Sequence, residues 1–229
     1  MSETAIHHDE HRDVRGSKLG IWLFIFTELL LFGGLFIVYA VYRNANQDAF
    51  HIAAKQLDVT MGTINTVILL ISSMTIAMST TAIQKKNKKL TLLLIGATLF
   101  LALVFLVNKY FEWSGKISHG LYPGSPVLED LGQGDILFFG LYFFMSGLHA
   151  LDIIVGMIFL GVVYMRVKRD RLAFDNFQLL ENGGLYWHLV DLIWIFLFPL
   201  FFRPAVGQSC ERFGYAYIEI TVMLVKKPP

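Results

Sequence analysis

Only one cysteine, Cys210, occurs in the chain. A lone thiol excludes an internal disulfide, a CxxC redox pair and a CxxCH haem attachment site. Charge is scarce as well: Asp, Glu, Lys and Arg make up 16% of 229 residues, against about 25% in soluble domains. No nucleic-acid partner is expected, but the net charge of +1 says nothing on that point; what matters is where the positive residues sit. No segment alternates apolar and polar residues as a half-buried strand would, and no helical repeat recurs. The first eighteen residues have no apolar core, which argues against a signal peptide. They hold His7, His8 and His11 among acids and bases, and read as a polar tail rather than a metal site.

What remains is apolar. Hydrophobic residues make up 55% of the chain and aromatic ones 14%, and the mean hydropathy is +0.56. Crossing about 30 Å of hydrocarbon takes about 20 apolar residues in a helix. Five segments meet or approach that length: Leu19 to Tyr42, Met61 to Ile83, Leu90 to Phe111, Ile136 to Met165 and Leu185 to Phe202. The expected fold is therefore all-α, a polytopic bundle of five transmembrane helices. Residues 1–18 form a polar N-terminal tail, 19–202 the membrane domain, and 203–229 a C-terminal tail of unknown role. Within that tail, Gly214 to Val225 is too short and interrupted for a sixth span.

Lys and Arg set the orientation. Arg12, Arg15 and Lys18 precede the first span; Lys85, Lys86, Lys88 and Lys89 fill the second loop; Arg166, Lys168, Arg169 and Arg171 fill the fourth. The other side has fewer, and its third loop carries Glu129, Asp130 and Asp135. This bias places the N-terminus inside and the C-terminus outside. Trp22 and Trp187 fall near the inner interface and Trp113 near the outer one, as an aromatic belt would. Ser73 with Ala77, and Ser146 with Ala150 and Gly156, mark small-residue faces where helix backbones can approach.

A few ionisable residues lie within the spans. Glu28 sits about nine residues into the first. His149 and Asp152 are three apart in the fourth, and His188 and Asp191 three apart in the fifth, so each pair shares a helix face. Glu112 closes the third span near the outer interface and needs less explanation. Counting depth at about 1.5 Å per residue puts Glu28, His149, Asp152 and Asp191 in one layer of the inner half. An acid at mid-membrane costs about 2.5 to 3.5 kcal/mol on insertion scales, a reason to expect partners inside the bundle. Three readings are open: a structural network of carboxyls and imidazoles, a metal site built from Glu28 and the two HxxD faces, or a b-type haem between His149 and His188. The last suffers from the different depths of the two histidines.

The same residues carry a resemblance. "KLGIWLFIFTELLLFGGLFIVYAVYRN" resembles the helix of haem-copper oxidase subunit III that bears its intramembrane glutamate. "INTVILLISSMTIA" resembles the next helix of that family, and "NKYFEW" the end of the one after. "FFGLYFFMSGLHALDIIVGMIFL" is similar to its TGxHxxHVxxG helix, and "YWHLVDLIWIFLFPLFF" to its YWHFVDxVW signature. These motifs stand in family order and cover nearly all of Leu19 to Phe202. The five-helix count fits the shorter members of the family.

By position, the resemblance implies that Glu28 is the buried carboxylate, His149 the first histidine of the fourth span, and Tyr186, Trp187, His188 and Asp191 the last-helix signature. Asp152 departs from the family, which often has a second histidine there. The resemblance implies a non-catalytic companion of the catalytic subunit I and other subunits of a respiratory terminal oxidase. Haem and copper would reside in those partners and no cofactor in this chain, in a bacterial-type plasma membrane. It further implies bound phospholipid in a cleft near the proton entrance, with Trp22, Arg166, Lys168, Tyr186, Trp187 and His188 as candidate contacts. Alternatives are a companion of a quinol oxidase or nitric oxide reductase or, from another class, a membrane metal-ion transporter.

Overall fold

A computed structural model describes the backbone of residues 3–169 and 178–225, and side chains at 16, 18–128, 132–169 and 178–202. The described chain is all-helical: α1 (Glu3–Ala45), α2 (Gln47–Ala54), α3 (Val59–Gln84), α4 (Lys88–Ser118), α5 (Pro126–Leu131), α6 (Gln133–Lys168) and α7 (Gln178–Val225). Five stretches are long and apolar enough to cross a membrane: Lys18–Ala45, Val59–Gln84, Lys88–Ser118, Gln133–Lys168 and Gln178–Phe202. Each contains one of the expected spans and runs a few residues beyond it. Two helices continue into the segments taken as tails. α1 begins at Glu3, and α7 runs without a break through Gly214 to Val225. Apart from Gly16 and Lys18, the side chains of both continuations, Cys210 among them, lie outside the described residues, as do Glu129, Asp130 and Arg171.

Local chemistry sets the helix ends. Asp58 caps α3 by accepting from the backbone N–H groups of Thr60 and Met61 at 2.9 and 3.3 Å. Asn87 caps α4 by accepting from Leu90 N–H at 3.2 Å. Between α3 and α4 the chain reverses over the lysine-rich loop. Asn87 N–H bonds Ala82 O and Lys86 N–H bonds Ile83 O, with Lys86 in the left-handed region at φ 57°. That is a Schellman ending, usually closed by glycine; here a lysine takes it and leaves its neighbours' charges at the bundle end.

α3 packs along α4 more extensively than any other pair of helices. Their seam is partly polar: Thr75 meets Thr98 at 2.8 Å, and Asn108 Nδ2 donates to Asn65 Oδ1 at 3.1 Å. Such bonds join helices where lipid gives no hydrophobic drive. α7 is the central helix, packed on α3 and α6. Its Trp187 and Trp194 donate their indole N–H groups to Ser72 Oγ and Thr66 Oγ1 of α3, at 2.9 and 3.0 Å. Glycines bring α6 and α3 up to it. A Cβ on Gly156 would lie 2.9 Å from Trp187 and Tyr186, and one on Gly62 would lie 2.6 Å from Phe198. The small-residue expectation holds at Ser146 and Gly156, both buried, whereas Ala77 is exposed and Ser72, Ile76 and Ser79 carry the buried face of α3.

α1 is the peripheral helix. Trp22, Leu23, Phe26 and Leu30 are exposed along it; Phe32 and Tyr39 turn inward, and Tyr39 OH donates to Leu200 O at 3.0 Å. The short α2 tucks Phe50 against Tyr39 and Phe138.

Candidate functional site

The antiparallel register of α6 on α7 fixes the levels of the buried polar residues. His149 lies beside Trp194, with ring centroids 5.1 Å apart and stacked. One end further, Gly156 faces Trp187, and Gly183 faces Leu160. Asp152 and Asp191 therefore fall at the same level on facing helices. Of the layer expected from sequence, Asp152 and Asp191 share a height, His149 lies one turn away, and laterally the residues separate into different surroundings.

Asp152 turns toward α1. Glu28 of α1 is its acidic neighbour, and Tyr186 OH donates to the Asp152 backbone carbonyl at 2.8 Å. Phe24 of α1 packs on the Tyr186 ring at 5.6 Å. Asp152 is buried and Glu28 half-buried; Oδ2 of the first and Oε2 of the second have no hydrogen-bond partner.

His188 and Asp191 face α3 instead. The expected His188–Asp191 pair is not formed. His188 Nδ1 bonds Ser73 Oγ at 2.7 Å. Neither carboxyl oxygen of Asp191 has a partner of hydrogen-bond geometry, and the Ser73 hydroxyl is the polar group beside it. A serine on α3 intervenes because helix packing, not the i,i+3 spacing, decides where each side chain points. His149 is enclosed by Phe105, edge-on at 5.8 Å, and by Trp194, so it does not face His188. Among the described residues no group of three or more His, Cys, Asp and Glu side chains could hold a metal ion. The HxxD metal reading and the bis-histidine haem reading both lack the required geometry.

The strongest polar cluster was not singled out from sequence. Lys109 on α4 is 3% exposed and donates to Glu112 Oε2 at 2.9 Å and to Tyr142 OH on α6 at 3.1 Å. Tyr142 OH closes the triangle by donating to Glu112 Oε1. The ammonium also lies 5.0 Å from the ring centres of both Tyr142 and Trp194. Lys116, also buried, donates to Gln56 O at 3.3 Å. Glu112 is thus buried within the bundle, near the end of α4. The signal was present as Lys109 and Glu112 three apart in an apolar helix, the same spacing that marked the other pairs.

Two surface clefts lie at the lysine-rich end. One, of about 410 Å³, is lined by Lys18, Trp22, Thr80, Glu181, Leu185 and His188 among others, between α1, α3 and α7. The other runs along α6 under Arg166 and Arg169, over Ile158, Gly161, Val162 and Met165. Trp22, His188 and Arg166 line these clefts, and Lys168 is exposed nearby. Tyr186 and Trp187 instead point into helix packing.

A family model described as "Cytochrome c oxidase subunit III" matches residues 1–204. The chain is 31% identical over 193 residues to the "Heme-copper oxidase subunit I+III" of Aeropyrum pernix, covering 81% of this chain and 22% of that longer one. It is 26% identical to the "Cytochrome c oxidase subunit 3" of Alkalihalophilus pseudofirmus, over 87% of this chain and 93% of that one. Against the "Probable quinol oxidase subunit 3" of Staphylococcus aureus it is 27% identical, over 84% of this chain and 91% of that one.

Proposed function

This chain belongs to the cytochrome c oxidase subunit III family, and from that premise we propose that it is the non-catalytic third subunit of a respiratory haem-copper terminal oxidase. The carrying observation is the family match over residues 1–204. Bacterial relatives bear subunit 3 names, and one archaeal relative has subunits I and III in a single chain, a fusion that favours a catalytic subunit I as direct neighbour. Relatives named for both cytochrome c and quinol oxidases leave the electron donor to the partner subunits.

On this reading the chain sits in the plasma membrane with its lysine-rich end inside, where the positive residues favour it. The clefts under Lys18, Trp22 and His188 and under Arg166 suit anionic phospholipid of that leaflet. Glu28, half-exposed on the peripheral helix α1, supports proton uptake by the catalytic neighbour, and the tightly packed α3, α4, α6 and α7 support assembly. Gentle extraction from native membranes, with this chain as bait, tests the assignment. A haem-bearing, oxygen-reducing complex is expected to accompany it, and the isolated chain is expected to have no visible haem absorption. A haem spectrum from the isolated chain overturns the non-catalytic reading.

A further inference from the structure

His188 and Asp191 do not pair, yet both reach the same serine. α3 and α7 run antiparallel, tied where Trp187 bonds Ser72 and Trp194 bonds Thr66, at 2.9 and 3.0 Å. Asp191 lies one turn from each tryptophan, so in height it falls between those ties and about one turn from Ser73. A helical side chain leans toward the N-terminus of its own helix. On antiparallel helices Asp191 and Ser73 therefore lean toward each other, and the Ser73 hydroxyl is the polar group beside the carboxyl. The same hydroxyl bonds His188 Nδ1 at 2.7 Å.

Exposure falls along this line. His188 and Ser73 are half-buried, and His188 lines the cleft of about 410 Å³ at the lysine-rich end. Asp191 is 3% exposed, and neither of its oxygens has a partner of full hydrogen-bond geometry. The line thus starts in an open cleft and ends at a carboxyl sealed in the bundle. Beyond Asp191 it stops. The indole N–H groups of Trp187 and Trp194 are already given to Ser72 and Thr66, and His149 is enclosed by Phe105 and Trp194. Asp152 of α6, at the same height, turns to α1. Lys18 of α1 and Glu181 of α7 are the charged side chains that line the cleft with His188. A carboxyl buried without a cation carries about 2.5 to 3.5 kcal/mol of insertion cost, which an apolar residue at the same place would not.

We propose that His188, Ser73 and Asp191 form a reversible proton-storage site, loaded from the cleft and closed at Asp191. Each group suits its place. Imidazole takes a proton on one ring nitrogen while giving one up from the other, a hydroxyl donates and accepts at one atom, and a carboxylate accepts. In loading, a proton from the cleft binds His188 Nε2. The Nδ1 proton passes to Ser73 Oγ as the Ser73 hydroxyl proton passes to the Asp191 carboxylate. One positive charge enters, the carboxylate becomes a neutral acid, and His188 is left neutral with its proton on Nε2. Release is the same sequence reversed, so no further donor or acceptor is required. All three groups belong to this chain, so the site does not depend on which oxidase the chain joins.

Infrared spectroscopy of the full chain, purified with its natural partners, tests this. The carbonyl stretch of a protonated carboxylic acid stands apart from the amide bands and drops in frequency when deuterium replaces its proton. The band of Asp191 is the one missing from Asp191→Asn. In the wild type it is expected to shift on transfer to heavy water, although the residue is buried. Ser73→Ala is expected to slow that shift several-fold, and Ser73→Thr, which restores the hydroxyl, to return it to the wild-type rate. His188→Gln cannot pass a proton between two ring nitrogens. It is expected to slow the shift likewise, and decides the matter if Ser73→Ala does not assemble. Three results overturn the proposal. One is no Asp191-dependent band at any pH at which the complex is intact. Another is a wild-type band that heavy water never shifts. The third is a shift whose rate Ser73→Ala or His188→Gln leaves unaltered.

Discussion

Two buried polar regions of this bundle use the same residue types and meet opposite fates. Near one end, Lys109, Glu112 and Tyr142 bond one another in a closed triangle, with the cation also lying against two aromatic faces. Toward the middle, Glu28, Asp152, Asp191 and His149 all keep at least one unpartnered polar atom. The first region contains its own counter-charge; the second has acids on three helices and no cation bonded to any of them. A buried pair that is complete holds helices together and resists change, since losing either member strands the other. Groups left open can bind water, exchange protons or meet another subunit. From this contrast we propose that the triangle serves assembly and the open set serves exchange.

The comparison breaks most visibly at Glu112. Glu112→Ala leaves the Lys109 ammonium buried without its carboxylate, and we expect a loss of about 3 to 5 kcal/mol. Retention of the chain with its complex in mild detergent, and its melting temperature, measure this. The double change Lys109→Met with Glu112→Leu removes both charges and is expected to recover most of the loss. Recovery separates a stranded charge from a general packing defect.

Gly156→Ala comes next and sharpens the role of helix register. The new methyl would lie 2.9 Å from Trp187 and Tyr186, which α3 and the α6 backbone fix by hydrogen bonds. Overpacking of this kind costs about 1 to 3 kcal/mol. It pushes α6 from α7 at the level adjoining Asp152 and Asp191, while Tyr142 of the triangle is about four turns away along α6. Thermal unfolding should register the loss, and Glu112 variants should combine with it additively.

Asp191→Asn tests the open set directly. Neither carboxyl oxygen of Asp191 is held by a hydrogen bond of full geometry, so the isosteric amide breaks no strong bond. We expect stability to change by no more than about 1 kcal/mol, with normal incorporation. Loss of the subunit on this substitution would show that Asp191 is paired after all, and would erase the distinction from Glu112.

Why was one region readable from sequence and the other not? The five spans were legible because length and apolarity alone specify them in a membrane, and Glu28, His149, Asp152, His188 and Asp191 stood out as charges in apolar runs. Their partners were not legible. Three-residue spacing puts His188 and Asp191 on one face, but Ser73, on another helix 115 residues away, takes the imidazole. Glu112 reads in the sequence as an end-of-span residue, and the three-residue spacing alone does not mark Lys109 as its buried partner. Only the path of α6 brings Tyr142 over them and buries the pair. The helical continuation of α7 past Phe202 was likewise hidden, since Arg203, Pro204 and Gly207 interrupt the apolar pattern without ending the helix.

The smallest structural effect, and the most telling functional one, belongs to Glu28. It is half-buried on the peripheral helix, with Phe24 and Leu31 around it exposed and Asp152 as its acidic neighbour. Among the described residues none gives a hydrogen bond to its carboxyl Oε2, so Glu28→Ala should leave assembly within about 0.5 kcal/mol of wild type. Its position does matter to proton traffic if α1 lies against the catalytic subunit. The open carboxyls of Glu28 and Asp152 form no continuous ladder to the other end, because the Lys109 triangle is closed by its own bonds. The role expected is therefore delivery to a neighbour rather than passage through this chain. Oxygen reduction should start at a normal rate in the Glu28→Ala complex and then decline faster with turnover, with slower proton uptake alongside. Following oxygen consumption and proton release together, over many turnovers, in wild type and variant measures this. Complete loss of oxygen reduction from the first turnover, in a fully assembled complex, would place Glu28 in the chemistry itself and refute the supporting role.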